Sequence, residues 1–270
     1  MKRSLWLILT VLAPLTALAG PLTVKGSDTM VVLTQRWAEE FMKAHRDAKV
    51  QVTGGGSGTG LSALINCTTD IATASRQIKE AEQKQLRARS KSGAEEIAVA
   101  RDGVTFYVNE KNPLTSLTVE QLKKIYLGDV TNWKDVGGPD APLVLYSREN
   151  SSGTYVFVKE HLLGGEDYSA TAQTLPGTAA VVNAVAKEKF GIGYGGAAYA
   201  KGVKELKIKV GTEEFAPTTE NVKSGKYPLA RDLFFYLRSK PTGEAKAFID
   251  YCLSDAGQQV VTQVGYFRVK

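Results

Sequence analysis

Short runs of β-branched and other apolar residues alternate along the chain with amphipathic stretches, and turn-forming residues stand at the joins. In the amphipathic stretches the apolar residues recur at helical spacing, as Leu33, Trp37 and Phe41 do. Neither an internal repeat nor a low-complexity linker interrupts the alternation. This succession of strands and helices is typical of an α/β protein.

The pattern predicts seven strands and seven helices as the main elements. The predicted strands cover residues 22–24, 49–53, 70–74, 103–108, 143–146, 191–194 and 233–237. The predicted helices cover residues 29–44, 60–65, 80–90, 118–127, 154–163, 178–187 and 243–261. We interpret the aromatic residues in these helices as core packing and not as a cofactor-binding motif.

The N-terminus has the features of a secretory signal peptide. Lys2 and Arg3 precede an apolar run at residues 5–11, and Ala17-Leu18-Ala19 provides the small-residue pattern that a signal peptidase recognises. The run falls short of the roughly 20 apolar residues that a membrane-spanning helix needs. No cysteine follows the cleavage site to carry a lipid. We therefore expect residues 1–19 to be removed and the mature protein to be soluble in the periplasm.

Length and charge restrict the possible partners. Cleavage leaves about 250 residues, which is enough for two lobes of ordinary domain size. The formal net charge of +6 suits small anions, but no Lys/Arg tract of the nucleic-acid-binding type is present, so we expect no nucleic-acid partner. Cys67 and Cys252 could form a disulfide in an oxidising compartment, and the sequence leaves open whether they pair.

Three loops rich in glycine, serine and threonine each follow a predicted strand and open onto a helix. They occupy residues 25–29, 54–60 and 148–154. A helix N-terminus presents unpaired N–H groups and a partial positive charge, so it holds an oxyanion without any lysine. Glycine permits close approach of the backbone, and the hydroxyl groups add further donors. Three such loops could surround one tetrahedral oxyanion.

Helix capping is the alternative explanation for each loop, because Ser, Thr and Asp are the most common N-cap residues. Capping alone would explain any single loop. The repetition of the pattern in three loops, two of them adjacent to an arginine, favours anion binding.

The two arginines are Arg76, in Ala74-Ser75-Arg76, and Arg148, in Tyr146-Ser147-Arg148. Both stand at the ends of predicted strands, where ligands of α/β proteins usually bind. A guanidinium group can donate two charge-assisted hydrogen bonds to phosphate oxygens. A surface salt bridge is the alternative role for each arginine.

Motifs of common enzymes are not matched. Leu61 stands where a Walker loop needs lysine, and the glycines of the 54–60 loop miss the dinucleotide-binding spacing. The same loop lacks one glycine of the hydrolase nucleophile elbow. His45 and His161 occupy polar positions of predicted helices, and no two-histidine metal motif is present. We therefore expect no enzymatic activity, no cofactor and no metal.

An ordered set of motifs resembles the PstS-like phosphate-binding proteins of ABC transporters. The motifs are Gly26-Ser27-Asp28-Thr29, Gly56-Ser57-Gly58-Thr59-Gly60, Ala74-Ser75-Arg76, Ile125-Tyr126-Leu127-Gly128 with Thr131-Asn132-Trp133, and Arg148 with Ser152-Gly153-Thr154. Their order and spacing agree with the family over nearly the whole mature chain.

The resemblance implies a type II periplasmic-binding-protein fold, in which two α/β lobes joined by two crossover strands close on a ligand. The crossovers would lie near residues 104–108 and 231–237. The first lobe would combine residues 20–104 with 229–270, and the second would hold residues 105–228. By the resemblance, the first lobe would contribute Ser27, Asp28, Thr29, Ser57, Gly58, Thr59 and Arg76 to the cleft. The second lobe would contribute Arg148, Ser152, Gly153 and Thr154.

One departure from the family concerns the selection of phosphate. The best-known members place an aspartate where this chain has Arg76, and that aspartate accepts the proton of bound phosphate. Asp28 is the only acid in the motifs of the first lobe. We therefore expect Asp28 to accept this proton and to disfavour sulfate, which lacks one; capping of the following helix would also explain Asp28.

These inferences predict a monomeric periplasmic protein that binds inorganic phosphate and delivers it to the membrane permease of an ABC transporter. Binding of another tetrahedral oxyanion, namely sulfate, molybdate, tungstate or a phosphonate, is the nearest alternative. A periplasmic phosphoester hydrolase is an alternative from another class, and a sensory or adhesive protein that reuses the clamp is a third.

Overall fold

A computed structural model describes residues 20–90 and 93–269, so the predicted signal peptide lies outside the described residues. These residues form eleven strands and nine α-helices. The strands are β1 (Leu22–Gly26), β2 (Val50–Thr53), β3 (Ile71–Ala74), β4 (Glu95–Val108), β5 (Ser116–Thr118), β6 (Val144–Arg148), β7 (Gln173–Leu175), β8 (Gly191–Gly196), β9 (Lys204–Val210), β10 (Glu213–Phe215) and β11 (Ala230–Leu237). The helices are α1 (Val31–Ala44), α2 (Ser57–Ile65), α3 (Glu80–Ser90), α4 (Val119–Leu127), α5 (Gly153–His161), α6 (Gly177–Lys187), α7 (Thr219–Lys223), α8 (Gly243–Leu253) and α9 (Asp255–Val264).

The strands form one mixed sheet in the order β2-β1-β3-β11-β4-β8-β6-β7, with β9 joining β4 to the short strands β5 and β10. The long strand β4 lies in the middle of this sheet and connects its two halves. Its first part pairs antiparallel with β11, and its last part, from Val104 to Val108, pairs with β8. The chain therefore crosses between the halves of the molecule through β4 and through the residues that precede β11.

The buried apolar side chains form separate clusters on the two sides of this crossing. One cluster contains Trp37, Phe41 and Phe235 and is built from residues between 22 and 100 and between 233 and 266. Another contains Phe106 and Tyr194 and is built from residues between 104 and 229, with Phe267. Each half of the sheet thus has its own hydrophobic core.

Most predicted elements are present with small shifts at their ends, but the strand predicted at residues 103–108 begins eight residues earlier, at Glu95. The single helix predicted at residues 243–261 is wrong. Two helices, α8 and α9, occupy this region, and Ser254 separates them with an extended backbone conformation (φ −69°, ψ 166°). Its hydroxyl oxygen accepts a hydrogen bond from the N–H of Gly257 and so begins a new helix. The helix predicted from residue 29 also starts later, at Val31, after a 3₁₀ turn at Asp28–Met30.

The sequence prediction missed four strands and one helix. Strands β5, β7 and β10 have three residues each, and α7 has five, so none is long enough to show a clear period. Strand β9 does alternate between polar and apolar residues, and its Leu206 and Ile208 are buried. That alternation was a usable signal for a strand.

The cysteines and the helix lengths bear on two expectations from the sequence. Cys67 and Cys252 are both free, Cys67 exposed and Cys252 buried, so the possible disulfide is not formed. None of the helices in the described part of the chain is long and apolar enough to cross a membrane.

Candidate functional site

The glycine- and hydroxyl-rich loops lie where strands end and helices begin. Strand β1 leads into the 3₁₀ turn Asp28–Met30, β2 leads into α2, and β6 leads into α5. Strands β1 and β2 are parallel, so their carboxyl ends lie at the same edge of the sheet. A fourth helix, α6, follows β7, which is parallel to β6.

The N-termini of α2 and α5 face each other in direct contact. The N–H group of Gly58 in α2 donates to the carbonyl oxygen of Ser151 at 2.9 Å. The hydroxyl oxygens of Thr29 and Thr154 lie 2.9 Å apart and share one hydrogen bond. The three predicted loops therefore converge at one place, as the sequence indicated.

Gly153 is required by this close approach. A Cβ atom at residue 153 would lie 2.2 Å from Oγ of Ser57 and 2.6 Å from Oγ of Ser75, closer than any side chain allows. Only a residue without a side chain lets the first turn of α5 come this near to the opposite loop.

Several hydroxyl oxygens at the site already accept hydrogen bonds from the protein. Ser57 Oγ accepts from the N–H of Ser75 at 3.1 Å, and Ser152 Oγ accepts from the N–H of Tyr155 at 3.2 Å. A hydroxyl that accepts in this way can still donate its own proton. Ser57 Oγ also lies 3.4 Å from Ser75 Oγ, and either hydroxyl can donate to the other. Ser27 is buried, and its side chain makes no capping hydrogen bond. Thr59, in the first turn of α2, is only partly buried and packs beside Gly55.

Arg148 supplies the positive charge of the site. Its side chain is only 2% exposed. Nη1 donates to Oγ1 of Thr178 in the first turn of α6, and Nη2 donates to Oδ2 of Asp28, both at 2.8 Å. Nε has no partner among the described residues. Burial lowers the pKa of Arg148 and the Asp28 carboxylate opposes that shift, but an arginine keeps its charge at physiological pH.

Asp28 connects two of the loops and one arginine. Its Oδ1 accepts from the N–H of Gly55 at 2.9 Å, and its Oδ2 accepts from Arg148. Its backbone carbonyl accepts from the hydroxyl of Tyr199 at 2.7 Å. The carboxylate therefore does not cap the helix that follows it. It pairs with Arg148 from the other half of the molecule.

Arg76 is placed differently from the other predicted residues. Nη1 and Nη2 donate to the two carboxylate oxygens of Glu82, at 2.8 and 2.7 Å, and Nη1 also donates to the carbonyl of Gln77. Arg76 lines a cavity of about 450 Å³ together with Lys79 and Phe157. The structure thus gives Arg76 a salt bridge, as in its alternative role, but the pair is largely buried and does not lie on the surface. Nε remains without a partner among the described residues.

A third arginine, which the sequence analysis missed, lies beside the converging loops. Arg231 at the start of β11 donates from Nη2 to Thr154 Oγ1 at 3.0 Å and to Asp102 at 2.8 Å. A sequence signal for it existed, because β4 and β11 both contain the dipeptide Arg-Asp within an otherwise apolar run. Thr178 was likewise missed as a site residue, although it was predicted to begin a helix.

The histidines and the acidic residues do not form a separate site. Nδ1 of His45 donates to the carbonyl of Phe41, and Nδ1 of His161 donates to that of Phe157. Across residues 20–90 and 93–269, no group of three or more His, Cys, Asp or Glu side chains is arranged to hold a metal ion.

Comparison with known proteins places this geometry in context. The family model described as a PBP superfamily domain matches residues 13–256. The phosphate-binding protein PstS of Staphylococcus epidermidis is 35% identical over 252 residues, covering 89% of this chain and 77% of that protein. PstS of Pseudomonas aeruginosa is 32% identical over 270 residues, covering 93% of this chain and 84% of that protein.

Two solved structures are similar over nearly their whole length. A putative phosphate ABC transporter substrate-binding protein from Clostridium perfringens, with bound phosphate, superposes with a TM-score of 0.85 at 29% identity. The alignment covers 93% of this chain and 100% of that one. An ABC-type phosphate transport receptor from Vibrio cholerae superposes with a TM-score of 0.74 at 30% identity, covering 91% of this chain and 99% of the receptor.

Proposed function

Because this chain belongs to the PstS family of phosphate-binding proteins, we propose that it captures inorganic phosphate in the periplasm and delivers it to an ABC-type permease. Its fold is the type II periplasmic-binding-protein fold, as predicted. The relatives named above are binding proteins and transport receptors. The ligand, the delivery and the absence of catalysis in this chain are part of the proposal.

The convergence of the α2 and α5 N-termini around Arg148 is the observation that carries the proposal. First-turn N–H groups of both helices lack partners within their own helices and carry the positive end of the helix dipole. Hydroxyl groups that can still donate and a buried guanidinium lie beside them. A site made almost entirely of donors binds an acceptor-rich anion, and tetrahedral phosphate has four oxygens to satisfy them.

We assign the ligand contacts to the predicted loop residues with two exceptions. The proposed ligand-binding set is Ser27, Asp28, Thr29, Ser57, Thr59, Arg148, Ser152, Gly153 and Thr154. Gly58 is left out because its N–H group donates to Ser151, and Arg76 because its two terminal nitrogens donate to Glu82.

Asp28 is proposed as the acceptor for the proton of hydrogen phosphate. An ionised carboxylate offers about four lone-pair positions, and two of these are used by Gly55 and Arg148. A third hydrogen bond, from a P–OH group, can therefore form. The same carboxylate would repel sulfate, which has no proton to share.

The two lobes are proposed to comprise residues 20–104 with 229–270, and residues 105–228. The division of the core on either side of β4 supports these boundaries. Hydrogen bonds from Gly58 to Ser151 and from Tyr199 to Asp28 join the two halves around the site. A clamp of this kind would close on its ligand and present the closed form, as a monomer, to the permease.

Native mass spectrometry of freshly purified mature protein tests the ligand. We expect a retained mass equal to phosphate, and calorimetric titration of the stripped protein should give a micromolar or tighter Kd. An affinity of about 8 kcal/mol is within reach of several charge-assisted hydrogen bonds. Titration with sulfate, molybdate, tungstate and a phosphonate provides the comparison.

Two outcomes would contradict the proposal. If another anion binds more tightly than phosphate, the ligand assignment is wrong but the binding function stands. Turnover of phosphoesters, measured with and without added zinc or magnesium, would identify a hydrolase instead.

A further inference from the structure

Strands β4 and β11 carry matching Arg-Asp dipeptides. Strand β4 contains Arg101-Asp102, and β11 contains Arg231-Asp232. The antiparallel register places Arg231 opposite Asp102 and Asp232 opposite Arg101. Since successive side chains of a strand point to opposite faces, each face receives one ion pair.

The two ion pairs have different surroundings. The Arg231–Asp102 pair is buried, with side chains 4% and 1% exposed and a 2.8 Å bond from Nη2 to Oδ2. The Arg101–Asp232 pair has a similar 2.9 Å bond, but its side chains are 40% and 39% exposed. Among the hydrogen bonds found in residues 20–90 and 93–269, the exposed pair makes none with the loops at residues 25–29, 54–60 and 148–154. The chain thus contains a matched control for its own buried pair.

Arg231 contacts residues next to the proposed phosphate from both lobes. Its Nη2 lies 3.0 Å from Thr154 Oγ1 in the second lobe and 3.5 Å from Thr29 Oγ1 in the first. Its Nη1 donates to the carbonyl of Ser75, the residue whose N–H group holds Ser57 Oγ.

The direction of these hydrogen bonds follows from the chemistry of the guanidinium group. Arginine donates and cannot accept, so Thr154 Oγ1 must be the acceptor from Arg231. Thr29 and Thr154 have two hydroxyl protons between them, and one of these lies in the bond that joins the two oxygens. The second proton cannot point at Arg231 and must be donated elsewhere.

We propose that Arg231 is a positioning residue that orients the Thr29–Thr154 hydroxyl pair so that its one remaining proton is donated to the bound phosphate. This inference rests on the proposed function. This corner of the site then accepts only an unprotonated phosphate oxygen, and the P–OH group is directed to Asp28. Since Thr154 comes from the second lobe, the orientation is complete only when the lobes are closed.

Asp102 keeps the guanidinium of Arg231 in place. Its Oδ2 accepts from both Nε and Nη2, at 3.2 and 2.8 Å. Burial raises the pKa of the Asp102 carboxyl, and the charge of Arg231 opposes that shift. The pair therefore lets a guanidinium remain buried beneath an anion site, where an unpaired charge would be strongly disfavoured.

A double-mutant cycle between Arg231 and Thr154 tests the proposal, with inorganic phosphate as the titrant. We expect Arg231→Gln to weaken phosphate binding by about tenfold to hundredfold, the usual range for a hydrogen bond that involves a charge. Thr154→Val removes the hydroxyl but keeps the shape. In the Thr154→Val background, Arg231→Gln should weaken binding by less than about threefold, because its target is gone.

Arg101→Gln is the control, and we expect a phosphate Kd within about twofold of wild type, as is usual for an exposed pair. Thermal unfolding of the ligand-free variants shows whether they are folded. If Arg231→Gln does not fold, Arg231→Lys takes its place in the cycle, because lysine keeps the charge beside Asp102 but loses the planar fork.

The outcomes separate this inference from the proposed function. Additive effects of the two substitutions, or an Arg231 variant that binds phosphate like Arg101→Gln, would overturn the positioning role alone. A wild-type protein without affinity for phosphate would overturn the proposed function itself.

Discussion

At the residue scale, the site depends on pairs of side chains that come from different loops. Arg148 lies between Asp28 and Thr178. Its guanidinium is therefore oriented by a carboxylate from the other half of the molecule and by a hydroxyl from its own half. Ser57 and Ser152 each accept a hydrogen bond from a backbone N–H and can still donate their own hydroxyl protons. A fixed orientation of donors before binding reduces the entropy lost when the anion arrives.

The role of Asp28 can be tested by its neutral analogue. In Asp28→Asn we expect the ratio of phosphate affinity to sulfate affinity to fall by about tenfold or more, because the acceptor for P–OH loses its charge. Calorimetric titrations with both anions measure this ratio. Asp47→Asn, at an exposed position, is the control and should leave the ratio unchanged. A parallel loss of both affinities with an unchanged ratio would show that Asp28 acts only by orienting Arg148.

At the element scale, helix N-termini serve both the proposed anion binding and the arrangement of the helices. The N-termini of α2 and α5 face each other at the candidate site. The N-terminus of α9 is capped by Ser254, as that of α5 is by Ser152, but it begins a helix of the fold away from that site. Ser254 also donates from its hydroxyl to the carbonyl of Tyr251 and so ends α8. One serine therefore separates two helices whose apolar residues continue across the break.

Removal of the Ser254 hydroxyl should destabilise the protein. We expect Ser254→Ala to lower the free energy of unfolding by about 1 kcal/mol, because the N–H of Gly257 loses its cap. Ser254→Gly is the matched control and should lose only a few tenths of a kcal/mol, since glycine is tolerated at N-caps. Urea unfolding followed by circular dichroism measures both. Equal losses in the two variants would contradict the capping role.

At the scale of the whole molecule, the close contact of the two halves depends on small residues at the meeting point. Gly153 meets Ser57 and Ser75 only if the second half lies against the first. Gly58 is also at the contact, but a Cβ there would be 3.4 Å from the carbonyl oxygen of Ser151, an ordinary separation. The two glycines therefore differ in how much closure depends on them.

Gly153→Ala should block closure without preventing folding. We expect its phosphate Kd to rise by about tenfold to hundredfold, in line with the usual 1 to 3 kcal/mol of overpacking. Small-angle X-ray scattering should show contraction of the wild type on addition of phosphate and none for Gly153→Ala. Gly58→Ala is the control and should contract like the wild type. Contraction and tight binding in Gly153→Ala would contradict the closed arrangement.

The pH dependence of stability should reflect a half-buried carboxylate, that of Glu205 in β9. Burial, together with the Asp102 carboxylate, raises the pKa of Glu205 in β9 to about 7. The folded protein thus retains a proton on Glu205 that the unfolded chain releases near pH 4.5. The contribution to stability is present at low pH and is lost as the pH rises through 7.

Glu205→Gln should remove this loss. The difference in unfolding free energy between the variant and wild type should shift in favour of the variant as the pH is raised from 5 to 8.5. We expect this shift to be about 1 to 2 kcal/mol, after allowance for screening by solvent. Urea unfolding at the two pH values measures the difference. Glu213→Gln, on the exposed strand β10, is the control and should show no such gain. An equal response of both variants would contradict the assignment.

The sequence by itself determined the alternation of strands and helices and the loops that open onto helix N-termini. Hydrophobic periodicity and the position of Gly, Ser and Thr are local properties, so they can be read without the fold. For this reason the predicted strand and helix at residues 70–74 and 80–90 agree with β3 and α3 almost to the residue. The resemblance carried by the same loops also led to the family, which the comparisons confirmed.

Only the tertiary structure decided which charged side chains meet. Arg76 and Arg148 have similar positions after strands in the sequence, yet one pairs with Glu82 and the other with Asp28, 120 residues away. Arg231 lies beside Thr154 because β11 pairs with β4 in one register, and no local pattern fixes that register. A charged side chain is long and can pair with any partner that the packing of distant strands brings near, whereas a period or a loop composition is fixed by neighbours in the chain.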